Sequence, residues 1–151
     1  MSKEIRKQHN VSILVYHLVC PIKYRRNVIT DKVKYTIMRT CETIASKYEI
    51  YFIEVGTDLD HVHFLVQTVP TYSPTKLVTI IKSLIAKAVF KYNPEVKRYL
   101  WGGEFWTDGY YIKTVSDEVD EKIVANYVRE QGNGSYKQVS KDTKVSPNSS
   151  M

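Results

Sequence analysis

Cysteine is scarce in this chain: two residues, Cys20 and Cys41, in 151. Their spacing fits neither a disulfide framework nor a metal-binding pair, so a stapled secreted scaffold is excluded. Free thiols in an intracellular chain are the simpler reading. No apolar run reaches membrane-spanning length, and Met1 to Asn10 is polar, without the apolar centre of a signal peptide. The expectation is a cytoplasmic protein with no membrane partner. No internal repeat is present. Histidine is sparse too, at four residues, which makes the placement of two of them informative.

What is present is a globular composition. Hydrophobic residues make up 43% and charged residues 25% of 151, enough for one domain with a real core. The net charge of +6 and the sequence pI of about 9.2 favour a polyanionic partner, nucleic acid before an acidic membrane surface. Mild basicity is also common in soluble proteins, so charge alone does not decide.

The pattern along the chain predicts seven elements. Val11 to Val19 is almost continuously apolar, as a central strand should be. His17 shares a face with Val15 and Val19 and reads as structural. Cys20-Pro21 ends that strand, and Lys23-Tyr24-Arg25-Arg26 then sets three charges around one aromatic ring. Such a cluster can hold phosphates and stack a base; a solvated basic loop fits equally well. Asp31 to Tyr48 has apolar residues at helical spacing, with Thr30 or Asp31 as N-cap. Glu49 to Gly56 reads as a strand that turns through Gly56 to Asp60 into Asp58 to Val66, an antiparallel hairpin closed by Pro70. Ser73-Pro74 opens a second helix, whose Lys76, Lys87 and Lys91 lie close together opposite a strong apolar stripe. A last strand spans Tyr110 to Val115. Ser116 caps a final helix ending at Gly132-Asn133-Gly134, and Ser135 to Met151 is polar enough to be disordered. The domain is therefore expected at 1–134, with a tail at 135–151.

The first six elements spell βαββαβ, the α+β ferredoxin-like arrangement with an antiparallel sheet, and the seventh is an additional C-terminal helix. The chemistry concentrates on Asp58-Leu59-Asp60-His61-Val62-His63-Phe64-Leu65-Val66. Strand side chains alternate between faces, so Val62, Phe64 and Val66 face a core. His61 and His63 project from the other face, where two imidazoles can aim at one divalent metal. Asp58 and Asp60 would point away from that face if the strand is regular. On the last helix Tyr127 and Gln131 are four residues apart and share a side. A tyrosine hydroxyl can act as a covalent nucleophile, although its pKa near 10 calls for help at neutral pH. Tyr127 also lies beside Ile123 and Val124, where a core tyrosine is the commoner occupant.

Four blocks together carry a resemblance. They are Tyr16-His17-Leu18-Val19-Cys20-Pro21 with Lys23-Tyr24-Arg25-Arg26; Thr57-Asp58-Leu59-Asp60-His61-Val62-His63; Trp101-Gly102-Gly103-Glu104-Phe105-Trp106 with Gly109-Tyr110-Tyr111; and Tyr127-Val128 with Gln131. In this order they resemble the HUH single-tyrosine transposases, small enzymes that mobilise insertion sequences as single-stranded DNA. The resemblance runs from about Val11 to Gln131. It implies that His61, His63 and Gln131 are metal ligands for Mg²⁺ or Mn²⁺, and that Tyr127 attacks the scissile phosphate. The product would be a 5′-phosphotyrosine link and a free 3′-OH, with no need for ATP. It implies a homodimer in which the tyrosine helix of one subunit often serves the histidines of its partner. It also implies binding of single-stranded DNA with hairpins, for which Lys23, Arg25, Arg26, Lys76, Lys87 and Lys91 are the candidate contacts. The first block departs slightly from the family, with Leu-Val-Cys-Pro-Ile where tryptophan is frequent. Two alternatives stay open on the sequence: a domesticated nuclease with the same chemistry acting on chromosomal repeat hairpins, and a non-catalytic ferredoxin-like nucleic-acid-binding module.

Overall fold

A computed structural model of the protein describes residues 5–6 and 11–115. The expected last helix, with Tyr127 and Gln131, and the polar tail lie outside the described residues, as does the expected domain boundary.

Four strands form one antiparallel sheet: β3 (Leu14–Pro21), β4 (Tyr51–Thr57), β5 (His61–Thr68) and β6 (Tyr111–Val115), in spatial order β4-β5-β3-β6. Two helices, α1 (Asp31–Lys47) and α2 (Pro74–Tyr92), make the crossovers. This is the α+β, ferredoxin-like βαββαβ architecture. Before it, β1 (Ile5–Arg6) and β2 (Val11–Ser12) pair as a separate two-stranded ladder. The continuous strand expected over Val11 to Val19 is thus divided, with Ile13 exposed between the pieces.

Both helix starts are built by their caps. Thr30 Oγ1 accepts from the Val33 amide and Ser73 Oγ from the Lys76 amide, each satisfying one of the orphan donors of a first turn. Pro74 follows Ser73 where a missing N–H costs nothing. Asp31 in the first turn of α1 and Lys47 in its last turn complement the helix dipole. At the other end of α2, the buried Asn93 Nδ2 donates to Thr36 Oγ1 at 2.8 Å and ties α2 to α1.

The apolar stripes of both helices meet one face of the sheet. Leu18, Cys20, Phe52, Val62, Phe64 and Val66 pack there against Ile37, Cys41, Ile44, Leu77, Ile81 and Ile85, all fully buried. Burying one such large side chain stabilises the fold by roughly 1.5–3 kcal/mol. The other face carries a smaller apolar cluster of Val15, Ile53 and Leu65, and beside it the histidines. Ile53 joins that cluster by alternation from Phe52, and a bulge between Phe52 and Glu54 returns Val55 to the main core. Cys20 and Cys41 are free and buried. Burial pushes the Cys20 thiol up to about 12, against the nearby Lys82, so both Cys20 and the similarly raised Cys41 behave as inert core residues.

Candidate metal centre and nucleic-acid interface

His61 and His63 occupy the first and third positions of β5. Its register with β3 sets Pro21 opposite His61, Val19 opposite His63 and His17 opposite Leu65. Because Val62 and Phe64 enter the helical core, alternation turns His61 and His63 to the second face, as expected. Their ring centroids are 4.6 Å apart at an interplanar angle of 72°. His17 joins them from β3: its ring stacks on His63 at 5.9 Å and 11°, and Tyr111 meets it edge-on at 6.0 Å. His17 is therefore a neighbour of the candidate ligands and not an isolated structural histidine. The pairing of β3 with β5 creates that contact, and sequence spacing does not reveal it.

Asp60 departs from expectation. The histidine strand begins at His61 and not at Asp58, so Asp60 belongs to the preceding turn and strand alternation does not govern it. Its Oδ1 lies 2.7 Å from His61 Nδ1. Burial raises the Asp60 carboxyl, but the His61 hydrogen bond and the Arg25 charge outweigh it and hold the group below the usual carboxylate range. An ionised carboxylate only accepts, so His61 Nδ1–H donates, and Nε2 is the ring nitrogen left to face a metal. Carboxylate, imidazole and metal in series is the arrangement that commonly orients a ligating histidine.

His63 is buried, and neither of its ring nitrogens has a hydrogen-bond partner among the described residues. A buried imidazole with both nitrogens unused is costly. Burial, with His61 and His17 adding like charge, pushes its pKa down to about 3. Burial, then Lys113, takes His17 to about 4. Both rings are thus neutral at physiological pH, the state a metal ligand needs. The residues present fit a divalent cation: two convergent imidazoles, one oriented by a carboxylate and one otherwise unsatisfied among the described residues. No group of three or more His, Cys, Asp or Glu able to hold a metal occurs among the described residues.

The six candidate DNA contacts separate into two groups. Lys23, Arg25 and Arg26 sit in the loop after β3, at the histidine end of the sheet. Arg25 Nη2 pairs with Asp60 Oδ2 at 3.1 Å, and Lys23 Nζ pairs with Glu104 Oε1 at 3.1 Å. The Glu104 hydrogen bond raises the Lys23 ammonium above its ordinary value. Arg26 lies over the Trp101 ring, 5.5 Å from its centroid. Lys76, Lys87 and Lys91 belong to α2, which covers the opposite face of the sheet. Lys76 sits over Tyr72 at 4.7 Å. Lys87 and Lys91 line a groove of about 830 Å³ between α1 and α2, together with Lys32, Arg39 and Lys47. Among the described residues the basic groove is lined by no histidine, cysteine or carboxylate, and the candidate metal ligands stand at the histidine end instead. Tyr24, read from the sequence as a ring able to stack a base, and Trp101 of the third motif block also gather there, 55% and 68% exposed.

Among the described residues, a ferredoxin-like sheet carries paired histidines on the face away from α1 and α2. Residues 10–131 match the family model described as "Transposase IS200 like". The chain is 31% identical over 118 residues to the ISDra2 transposase TnpA of Deinococcus radiodurans, covering 78% of this chain and 84% of that protein. It is 22% identical over 116 residues to the transposase for insertion sequence element IS200 of Salmonella typhimurium, covering 77% and 75%. A solved Deinococcus radiodurans structure matches with a TM-score of 0.69 at 27% identity, over 85% of this chain and 98% of that one. A REP-associated tyrosine transposase bound to a REP hairpin matches with a TM-score of 0.57 at 9% identity, over 84% and 71%, a likeness of fold alone. The chain belongs to the IS200-like family of HUH single-tyrosine transposases. No described helix is long and apolar enough to cross a membrane.

Proposed function

We propose that this transposase cuts and rejoins single-stranded DNA at insertion-sequence ends through a covalent tyrosine intermediate. The observation that carries the reading is His63: a buried imidazole with both nitrogens unused, beside His61, whose Nδ1 is held by Asp60. That pair is arranged to present lone pairs and not to fill space. His61, His63 and Gln131 would hold Mg²⁺ or Mn²⁺, which when bound polarises the scissile phosphodiester. Two imidazoles suit Mn²⁺ better than Mg²⁺.

In the reaction itself Tyr127 Oη bonds to phosphorus, and its proton passes by way of solvent to the departing 3′-oxygen. The bond from phosphorus to the 3′-oxygen breaks, leaving a free 3′-OH and a 5′-phosphotyrosine. The phosphodiester energy is kept in the new linkage, so a later 3′-OH can reverse the step without ATP. Asp60 fixes the His61 ring and Arg25 fixes Asp60, so the strand can be positioned on a preset frame. The protein acts as a homodimer on DNA with hairpins, and its domain ends near residue 134. Similarity to two insertion-sequence transposases supports the mobile-element role over the domesticated one.

The test is a covalent adduct. Wild-type protein incubated with single-stranded ends from the flanking DNA and Mn²⁺ should form a protein–DNA species, and peptide mapping should place the nucleotide on Tyr127. Tyr127→Phe should fold and bind metal yet form none. Cleavage without any covalent species would leave a metal-activated water as the attacker, and a nucleotide on another of the 12 tyrosines would move the nucleophile to that residue.

A further inference from the structure

The loop of residues 23–26 and the loop of residues 101–106 are stitched together beside His61. Lys23 N donates to Phe105 O at 2.9 Å, Thr107 N donates to Pro21 O at 3.0 Å, and Ile22 bridges to Trp106. The two tryptophans of this segment behave in opposite ways. Trp106 is buried, and its indole N–H donates to Lys82 O at 2.9 Å. Trp101 leaves 68% of its surface in solvent, on a turn where Gly102 and Gly103 take positive φ. The Tyr24 ring, 55% exposed, lies 6.2 Å from Trp101 at a tilt of 59°, and the Arg26 guanidinium rests against the indole.

The backbone that presents Tyr24 is itself unusual. Tyr24 and Arg25 both adopt left-handed φ, at +58° and +50°. Consecutive bulky residues in that region are uncommon, and such strain gathers at ligand clamps. Here it sends two neighbouring side chains in different directions. The Tyr24 ring turns out to Trp101, while Arg25 turns to Asp60, the carboxylate that holds His61. The aromatic pair and the candidate metal ligand are thereby joined through one loop. A cleft of about 530 Å³ opens alongside, bounded by Arg25, Arg26, Asn27 and Tyr99, a volume in the range of small-molecule sites.

We propose that Trp101, flanked by Tyr24 and Arg26, seats one unpaired base of the DNA strand at the histidine end of the sheet. The inference rests on the strand-cutting reading above and adds a base site to it. An exposed indole offers a π-face to any base, and a base inside a duplex has no free face to offer, so the seat selects single strands without reading their sequence. Arg26, already against the ring, is placed to pair with the adjoining phosphate. Stacking there fixes one nucleotide of the strand relative to His61.

The experiment uses the full chain and single-stranded oligonucleotides from the flanking ends, with 2-aminopurine walked through every position. One position should be strongly quenched by wild-type protein and by Trp101→Phe, and the quench should vanish in Trp101→Ala. The Kd of Trp101→Ala should rise roughly 10-fold. An abasic nucleotide at the quenched position should weaken wild-type binding by a similar factor and have little further effect in Trp101→Ala. Unchanged quenching and affinity in Trp101→Ala, or effects of the abasic site and the substitution that simply multiply, would overturn the base seat. Those results with a normal yield of Tyr127 adduct would refute this inference alone. Absence of any adduct in the wild type would instead refute the strand-cutting reading.

Discussion

The carboxylate of Asp60 accepts a 2.7 Å hydrogen bond from the ring of the residue that follows it, His61. Adjacent residues in a regular strand project to opposite faces and could not meet this way. The contact exists because β5 starts at His61, leaving Asp60 in the turn, where Arg25 grips its second oxygen. Orientation of a ligating histidine by a carboxylate typically contributes 10–100-fold in metal affinity.

Asp60→Ala should therefore weaken Mn²⁺ binding by roughly 10–100-fold, read by calorimetry or by the spin signal of free Mn²⁺. Asp60→Asn keeps an acceptor oxygen and should recover much of the loss. Arg25→Ala should have a smaller effect, since it acts through Asp60. Equal Mn²⁺ affinity in Asp60→Ala and wild type would show that the His61 ring is held by other means.

Stability in the absence of metal should fall as pH falls below 6.5. His63 and His17 are held down to about 3 and about 4 when folded, against 6.5 when free. Over that interval the unfolded chain binds protons that the folded chain refuses, so stability rises with pH. The slope is up to about 1.4 kcal/mol per pH unit for each histidine. Urea midpoints in chelator should be lower at pH 5 than at pH 7.5, and His63→Gln should flatten the difference. A profile equally steep in His63→Gln would assign the pH dependence to other groups.

Mixing two inactive variants tests where the tyrosine acts. Tyr127→Phe and His61→Ala proteins, allowed to exchange subunits, should regain part of the cleavage activity if one subunit's tyrosine serves its partner's histidines. Exchange proven by mass, with no cleavage, would place Tyr127 and His61 of the same chain in one site.

The lysines of α2 lie across the sheet from the histidines, so their loss should separate binding from chemistry. Lys87→Gln and Lys91→Gln should each lower the slope of log Kd against log salt by about one if each meets a phosphate. Cleavage of a saturating single strand should continue at the wild-type rate. Unchanged salt slopes would make the groove between α1 and α2 an ordinary solvated surface.

Much of this protein is written in local pattern. The alternation of Val62, Phe64 and Val66 with His61 and His63 has the period of a strand, so the face of each side chain follows from the sequence. Thr30 and Ser73 announce the helix starts because their side chains cap the nearest amides, an interaction only three residues long. The βαββαβ order follows from those elements in turn, and the four motif blocks identify the family. The short ladder of Ile5–Arg6 with Val11–Ser12 escaped because two-residue strands have no period to detect.

Tertiary structure alone decided how the site is assembled. His17 reaches His63 because β3 and β5 pair in one register, and a register joins residues distant in sequence. Arg25, one of several basic residues in a loop, became the partner of Asp60 through a left-handed backbone that its residue type disfavours. Trp101 and Trp106 stand in the same short motif, yet one is buried and the other exposed, because only the packing of Phe105 and Trp106 into the main core turns Trp101 outward. Residue types and spacing determine which groups are available and which face they take. Whether those groups meet depends on strand register and loop path, which arise from the chain's long-range packing.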